Sequence, residues 1–160
     1  MSLDSVRAFF AERAPDIAVI VTEASSATVP EAAAAHGVEP ARIAKTLTLT
    51  IGERTLLVVA AGDARLDNKK IKATFGGKAK MPEAETVAAL TGHPVGGVCP
   101  FGLATPLPVH CDVSLRRFDV VVPAAGATNA AVFIAPERMA ALTGATWVDV
   151  CQLPEPPEAA

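Results

Sequence analysis

Apolar residues recur at helical spacing at the start of the chain, and further on they alternate or run continuously, so helices and strands are interleaved. Leu3, Val6, Phe9 and Phe10 share one face of a helix from Leu3 to Arg13, with Ser2 as its cap and Pro15 just beyond its end. Ile17 to Thr22 is β-branched and predicts a strand. Thr28 and Glu31 form a T-x-x-E capping box with Pro30 in the first turn; that helix runs through the alanines at 32–35 and stops at Gly37. After a single turn at 40–43, Ile43 to Ile51 alternates. Ile43, Lys45, Leu47, Leu49 and Ile51 fall on one face, expected to point inward, and Ala44, Thr46, Thr48 and Thr50 on the other. Gly52-Glu53 predicts a two-residue hairpin. The return strand, Thr55 to Ala61, is apolar on both faces and so is expected at the centre of a sheet.

The second half continues in shorter pieces. Asp67 caps a basic helix from Asn68 to Phe75, and Pro82 starts another from Glu83 to Thr91, ended by Gly92. Residues 92–102 carry too much Gly and Pro for regular structure. Strands are expected at 107–113, 118–123, 130–135 and Thr146–Cys151, with a helix at Pro136–Leu142. About seven strands and four or five irregularly spaced helices predict an α+β domain: a mixed, curved or barrel-like sheet with surrounding helices, rather than a doubly wound one. A single domain over 1–152 is expected, followed by a flexible Pro/Glu tail at 153–160.

Composition narrows the function classes. With six Phe, one Trp and no Tyr, an aromatic platform for single-stranded nucleic acid is disfavoured. A net charge of −3 argues against a general nucleic-acid coat protein, and DNA is not expected as a partner. The charge is uneven, however: Arg65, Lys69, Lys70, Lys72, Lys78 and Lys80 face only Asp63 and Asp67 in the same stretch. A local basic patch on an acidic body suits one phosphate-bearing ligand, or else is a solvated helix face. Three widely spaced cysteines, no signal peptide and no apolar run of the ~18 residues that span a bilayer point to a soluble, reduced, cytoplasmic protein without a membrane partner.

Two features carry chemistry. Lys45 sits on the apolar face of its strand, where an ammonium needs a cavity mouth, a partner or a lowered pKa, unless it snorkels out at the strand end. The loop Gly96-Gly97-Val98-Cys99-Pro100-Phe101-Gly102 is stiffened by proline and can bring backbone amides close to a ligand carbonyl or oxyanion, or simply connect two elements. Cys99 is a thiol nucleophile if His93 lowers its pKa, and otherwise a small apolar filler. His36, His93, His110 and the cysteines lack metal-ligand spacing, and no nucleotide-binding glycine motif occurs, so neither a metal nor another cofactor is expected.

Ile43-Ala44-Lys45-Thr46-Leu47, then Gly96–Gly102, then Ala124-Ala125-Gly126 occur in the order of the YbaK/EbsC, or prolyl-tRNA-synthetase-associated, editing-domain family, and the chain resembles that family over roughly residues 1–151. The resemblance implies a mixed barrel with outer helices and deacylation of tRNA mischarged with a small amino acid, most often on tRNA for proline. It makes Lys45 the key polar side chain at the terminal adenosine or its phosphate. It makes Gly96, Gly97, Val98, Cys99, Pro100, Phe101 and Gly102, with Ala124 and Gly126, the binder of the aminoacyl group. Lys69, Lys70, Lys72, Lys78 and Lys80 become candidate tRNA contacts. With no synthetase core in 160 residues, action in trans is expected, with mischarged tRNA as partner and room for an aminoacyl-tRNA synthetase as a second. Many relatives carry Ser where Ala124 aligns, which implies a different or more apolar substrate preference here.

Overall fold

The computed structural model describes residues 2–154. Helix α1 (Ser2–Arg13) buries Val6 and Phe10, and with Phe9 and Phe101 it forms an aromatic cluster with ring centroids 4.7–5.5 Å apart. Strand β1 (Ile20–Val21) is followed by α2 (Val29–His36). The Thr28 hydroxyl oxygen accepts from the Glu31 amide, and Gly37 closes α2 in the left-handed region at φ 67°. A 3-10 turn (Pro40–Arg42) leads into the hairpin of β2 (Ile43–Ile51) and β3 (Arg54–Ala61).

Next come β4 (Arg65–Leu66), α3 (Asn68–Phe75), β5 (Ala79–Lys80) and α4 (Ala84–Thr91). Strand β6 (Val109–Asp112), a 3-10 helix (Val113–Arg117), β7 (Val122–Pro123), β8 (Ala130–Ala131), α5 (Pro136–Thr143), β9 (Thr146–Val148) and β10 (Cys151–Gln152) complete the fold.

The main sheet runs β5-β2-β3-β6-β9, with β7 also on β2. It is mixed: β2 is antiparallel to β3 and β5 and parallel to β7, while β3–β6 and β6–β9 are parallel. Bridges Val121↔Ile134 and Ala124↔Ala131 carry the sheet on to β8, which pairs with β1. The result is the mixed, curved α+β architecture that the hydrophobic pattern predicts. Strand β3 lies between β2 and β6, and its residues from Leu56 to Ala61 are buried, as its two apolar faces require.

The structure corrects several expectations. Strand β2 does not have one inward and one outward face: Ala44 and Thr48 are buried along with Leu49 and Ile51, because both faces of the strand are covered. The expected strand 146–151 is two. Strand β9 stays in the main sheet and β10 crosses to β4, because the Val150 amide between them donates to Asp112 Oδ1 at 2.8 Å. Residues 107–113, 118–123 and 130–135 form shorter strands than expected. The two-residue strands β4 and β5 carry no sequence period long enough to read. Most of the expected Pro/Glu tail, residues 155–160, lies outside the described residues.

Asp112 is the polar keystone of this end of the sheet. It is 1% exposed, and its two carboxylate oxygens accept from the amides of Val150 and Ser114. The Ser114 hydroxyl in turn accepts from the Ala61 amide at 3.1 Å, which ties the end of β3 to the same knot. Removing the carboxylate strands two buried amides, each costing about 1–3 kcal/mol. Asp112→Ala is therefore expected to lower unfolding free energy by about 3 kcal/mol in urea titration, and Asp112→Asn, which keeps one acceptor, by less.

Candidate functional site

A cavity of about 360 Å³, at the small end of the ~300–1,000 Å³ typical of small-molecule sites, opens against the middle of β2. It lies where β2 has lost a neighbour: β7 pairs only with Ile43 and Ala44, and β5 only with Thr50 and Ile51. Helix α2 contributes Val29 and Ala32, α4 contributes Ala84 and Val87, and the 92–102 loop contributes Val95, Gly96 and Val98. Ala44, Ala124, Ala130 and Ala131 add to a wall that is more than half Ala and Val. The polar lining is four hydroxyl residues (Ser26, Thr28, Thr46, Thr48) and one charged residue, Lys45. At the mouth stand two exposed apolar side chains, Met81 at 64% and Val95 at 61%.

Lys45 is partly buried. Its ammonium donates to the carbonyls of Ala64 at 2.6 Å and Gly62 at 3.2 Å, just past the end of β3. Burial pushes its pKa down, against the opposing pull of Cys151 and Asp63. Asp63 is itself engaged by Arg117, whose guanidinium holds its carboxyl below the usual range. Gly62 was not singled out by sequence, where only its place after a strand marked it. A Cβ there would sit 2.0 Å from the Pro40 carbonyl oxygen, so the turn before β2 closes onto backbone at this point.

Of the loop residues singled out by sequence, Gly96 and Val98 line the cavity, together with Lys45 and Ala124. Gly96 has φ 85°, and a side chain there would meet Ala27 Cβ at 2.7 Å, so this glycine lets the loop close on the segment before α2. Gly97, Cys99, Pro100, Phe101, Gly102 and Gly126 are not on the cavity wall. Gly97 packs on the Ala127 backbone, its carbonyl accepts from the Gly126 amide at 3.0 Å, and Phe101 belongs to the aromatic core. These residues brace the loop from behind.

Cys99 and His93 do come together, with Sγ 3.5 Å from Nε2, but both are buried. Nε2 lies 2.7 Å from the Phe101 carbonyl oxygen. A carbonyl only accepts, so Nε2 carries the proton and is no base towards the thiol. Burial lowers the His93 pKa and pushes the Cys99 thiol up to about 12. Among the described residues, no group of three His, Cys, Asp or Glu side chains gathers as a metal site would require.

Among the candidate tRNA-contact lysines, Lys70 is held by Asp149 at 2.9 Å and the Cys151 carbonyl at 2.8 Å. Lys69, Lys72, Lys78 and Lys80 are exposed, and Lys80, on β5, directly precedes Met81 and Pro82 of the cavity.

Comparison with known proteins places this geometry. A family model for the aminoacyl-tRNA editing domain matches residues 23–142, which hold β2, the 92–102 loop and the whole cavity wall. The chain belongs to the aminoacyl-tRNA editing domain family. Its relatives in that family include the protein YwhH of Bacillus subtilis (strain 168), 47% identical over 154 residues, 95% of this chain and 98% of the relative. The Proline--tRNA ligase of Geobacter sp. (strain M21) is 31% identical over 103 residues, 64% of this chain but only 18% of the ligase. A crystal structure of a proposed trans-editing enzyme for prolyl tRNA synthetase superposes with a TM-score of 0.87 and 34% identity, covering 94% of this chain and 97% of that one. In this editing domain, no helix among the described residues is long and apolar enough to cross a membrane.

Because all three thiols are buried and pushed up to about 12, native protein at pH 8 is expected to resist iodoacetamide and to take it up at three sites once unfolded in urea. Intact-mass measurement checks this, and rapid native labelling of Cys99 would restore it as a nucleophile.

Proposed function

We propose that this chain is a trans-acting aminoacyl-tRNA deacylase that hydrolyses the ester of tRNA mischarged with a small amino acid, foremost on tRNA for proline. The observation that carries the reading is the cavity itself: a small Ala/Val-walled pocket with one ammonium and a glycine turn on its wall, in a chain of the editing family. A wall of this kind suits a short aliphatic acyl group. The coverage of nearly the whole of two compact relatives supports action in trans, and the likeness to prolyl-tRNA ligases supports the tRNA.

The chemistry is direct attack of water on an activated ester. No carboxylate, imidazole or thiol lines the cavity among the described residues, so the chain offers no general base there. A ribose hydroxyl of the substrate orients the water, and holding the reactants in place supplies the rate. Lys45 spends two of its three N–H donors on the carbonyls of Gly62 and Ala64, and the third is available to the terminal adenosine or its phosphate. The backbone of Gly96 and Val98, on the cavity wall, is the proposed source of N–H donors for the developing oxyanion. Editing of this kind is needed because one methylene changes synthetase selectivity by only about 1–3 kcal/mol.

A single-turnover assay with tRNAs charged with Ala, Cys, Ser, Thr, 2-aminobutyrate and Pro tests the reading. We expect hydrolysis of small non-cognate esters and sparing of prolyl-tRNA. Lys45→Ala is expected to lose roughly 100-fold or more in rate, as for loss of one preorganised donor, while Cys99→Ser keeps most of it. Tight binding of these tRNAs without turnover would make the chain a binding module, and loss of rate on Cys99→Ser would make it a thiol hydrolase.

The exposed lysines of the basic segment are the proposed contacts for the acceptor-stem backbone. Charge reversal at Lys78 and Lys80, beside the cavity mouth, is expected to weaken tRNA binding and flatten log K against log salt by about 0.7–0.9 per lost contact. An unchanged slope would return the segment to a solvated face.

A further inference from the structure

Hydrogen-bond parity along β2 shows what the gap in the sheet exposes. The two-residue hairpin closes on Ile51↔Arg54, and the register is one-for-one from there to Ala44↔Ala61. Bonded pairs alternate in an antiparallel ladder, so Lys45, Leu47, Leu49 and Ile51 direct their backbone N–H and C=O to β3. The far side of β3 gives the same parity: the amides of Leu57 and Ala61 point away from β2, to the Pro108 carbonyl and the Ser114 hydroxyl. Their partners Thr48 and Ala44, and with them Thr46 and Thr50, therefore direct N–H and C=O to the opposite edge.

Ala44 meets β7 and Thr50 meets β5. Between them, the amides and carbonyls of Thr46 and Thr48 face the cavity, and no strand among the described residues receives them. Pro82 enforces the gap. Continuing the Thr50↔Lys80 register places it opposite Thr48, where it has no N–H to give. The hydroxyls of the same two threonines are also buried without a hydrogen-bond partner among the described residues.

Resting on the deacylase reading, we infer that the aminoacyl group docks on this edge as a one-residue β-strand, its α-ammonium donating to the Thr46 carbonyl and its ester carbonyl accepting from the Thr48 amide. An aminoacyl ester carries N–H donors and a carbonyl on one residue, the set that a strand exchanges with a bonded neighbour. An ammonium entering this cavity needs acceptors, and no carboxylate lines it, so the backbone edge supplies them. The Thr48 amide then faces the ester carbonyl and supplements the loop amides. The substrate class follows: esters of amino acids with a free α-amino group, read by backbone, with the Ala/Val wall limiting side-chain size.

The test compares alanyl-tRNA, N-acetyl-alanyl-tRNA and lactyl-tRNA, in which a hydroxyl replaces the amino group, on the native protein, each rate divided by spontaneous hydrolysis. The expected result is a roughly 10- to 100-fold loss of kcat/KM for both analogues, the size of one charge-assisted hydrogen bond. Equal normalised rates for alanyl- and lactyl-tRNA overturn the inference and leave the deacylase reading intact. No hydrolysis of any aminoacyl ester overturns that reading, and this inference with it.

Thr48→Pro removes the amide that faces the gap without breaking the β3 ladder. If circular dichroism shows it folded, it should lose at least about 10-fold in kcat on alanyl-tRNA, and full retention of kcat overturns the Thr48 contact. If it does not fold, the substrate series decides alone.

Discussion

Strand β2 is paired along one edge from Ala44 to Ile51 and along the other only at its two ends. A buried backbone group must find a partner, and a sheet normally supplies it. Here the supply stops for the stretch between Ala44 and Thr50, because β5 runs into Pro82 and β7 turns away after Pro123 to bridge Ala131 through Ala124. The cavity is the space that this interruption leaves. Everything that defines the site is arranged around it: helix α2 and the 92–102 loop on its sides, Lys45 on its wall, Met81 and Val95 at its mouth.

An interrupted sheet needs bracing elsewhere. Asp112 gathers the ends of β3, β6 and the approach to β10 through backbone amides, and the aromatic cluster of α1 and Phe101 holds the back of the loop. Close contacts lock the loop to its neighbours: Gly96 on Ala27, Gly97 on Ala127, Gly102 on Ser5. The front of the loop is thereby held still for a ligand, which lowers the entropy cost of binding. The buried Cys99–His93 pair is part of that bracing.

Lys45 joins the two halves of this design. Its ammonium ties the Gly62–Ala64 turn to the start of β2, and the Pro40 carbonyl closes down on Gly62 from the other side. A partly desolvated ammonium with two carbonyl partners and one free donor is costly unless a ligand uses it. That cost is consistent with a site kept for an anionic or ester-bearing substrate.

The hairpin, the helix caps and the central apolar strand were legible in the sequence because each rests on local chemistry: Gly52 at a tight turn, Thr28 and Asp67 at helix starts, unbroken apolar residues from Leu56 to Ala61. The oddness of a lysine on an apolar strand was legible for the same reason. The two-residue strands, the split at Val150 and the crowding at Gly62 were not, since each depends on a partner distant in sequence. Nor could the sequence say which loop residues face the cavity, because the adjacent Gly96 and Gly97 are told apart only by backbone conformation and by what packs against them. Thr46 and Thr48 read as ordinary polar strand residues. Only the tertiary pairing, which gives β2 neighbours at its ends and none between, turns their backbone into part of a site, because hydrogen-bond saturation is a property of the assembled sheet and not of any one strand.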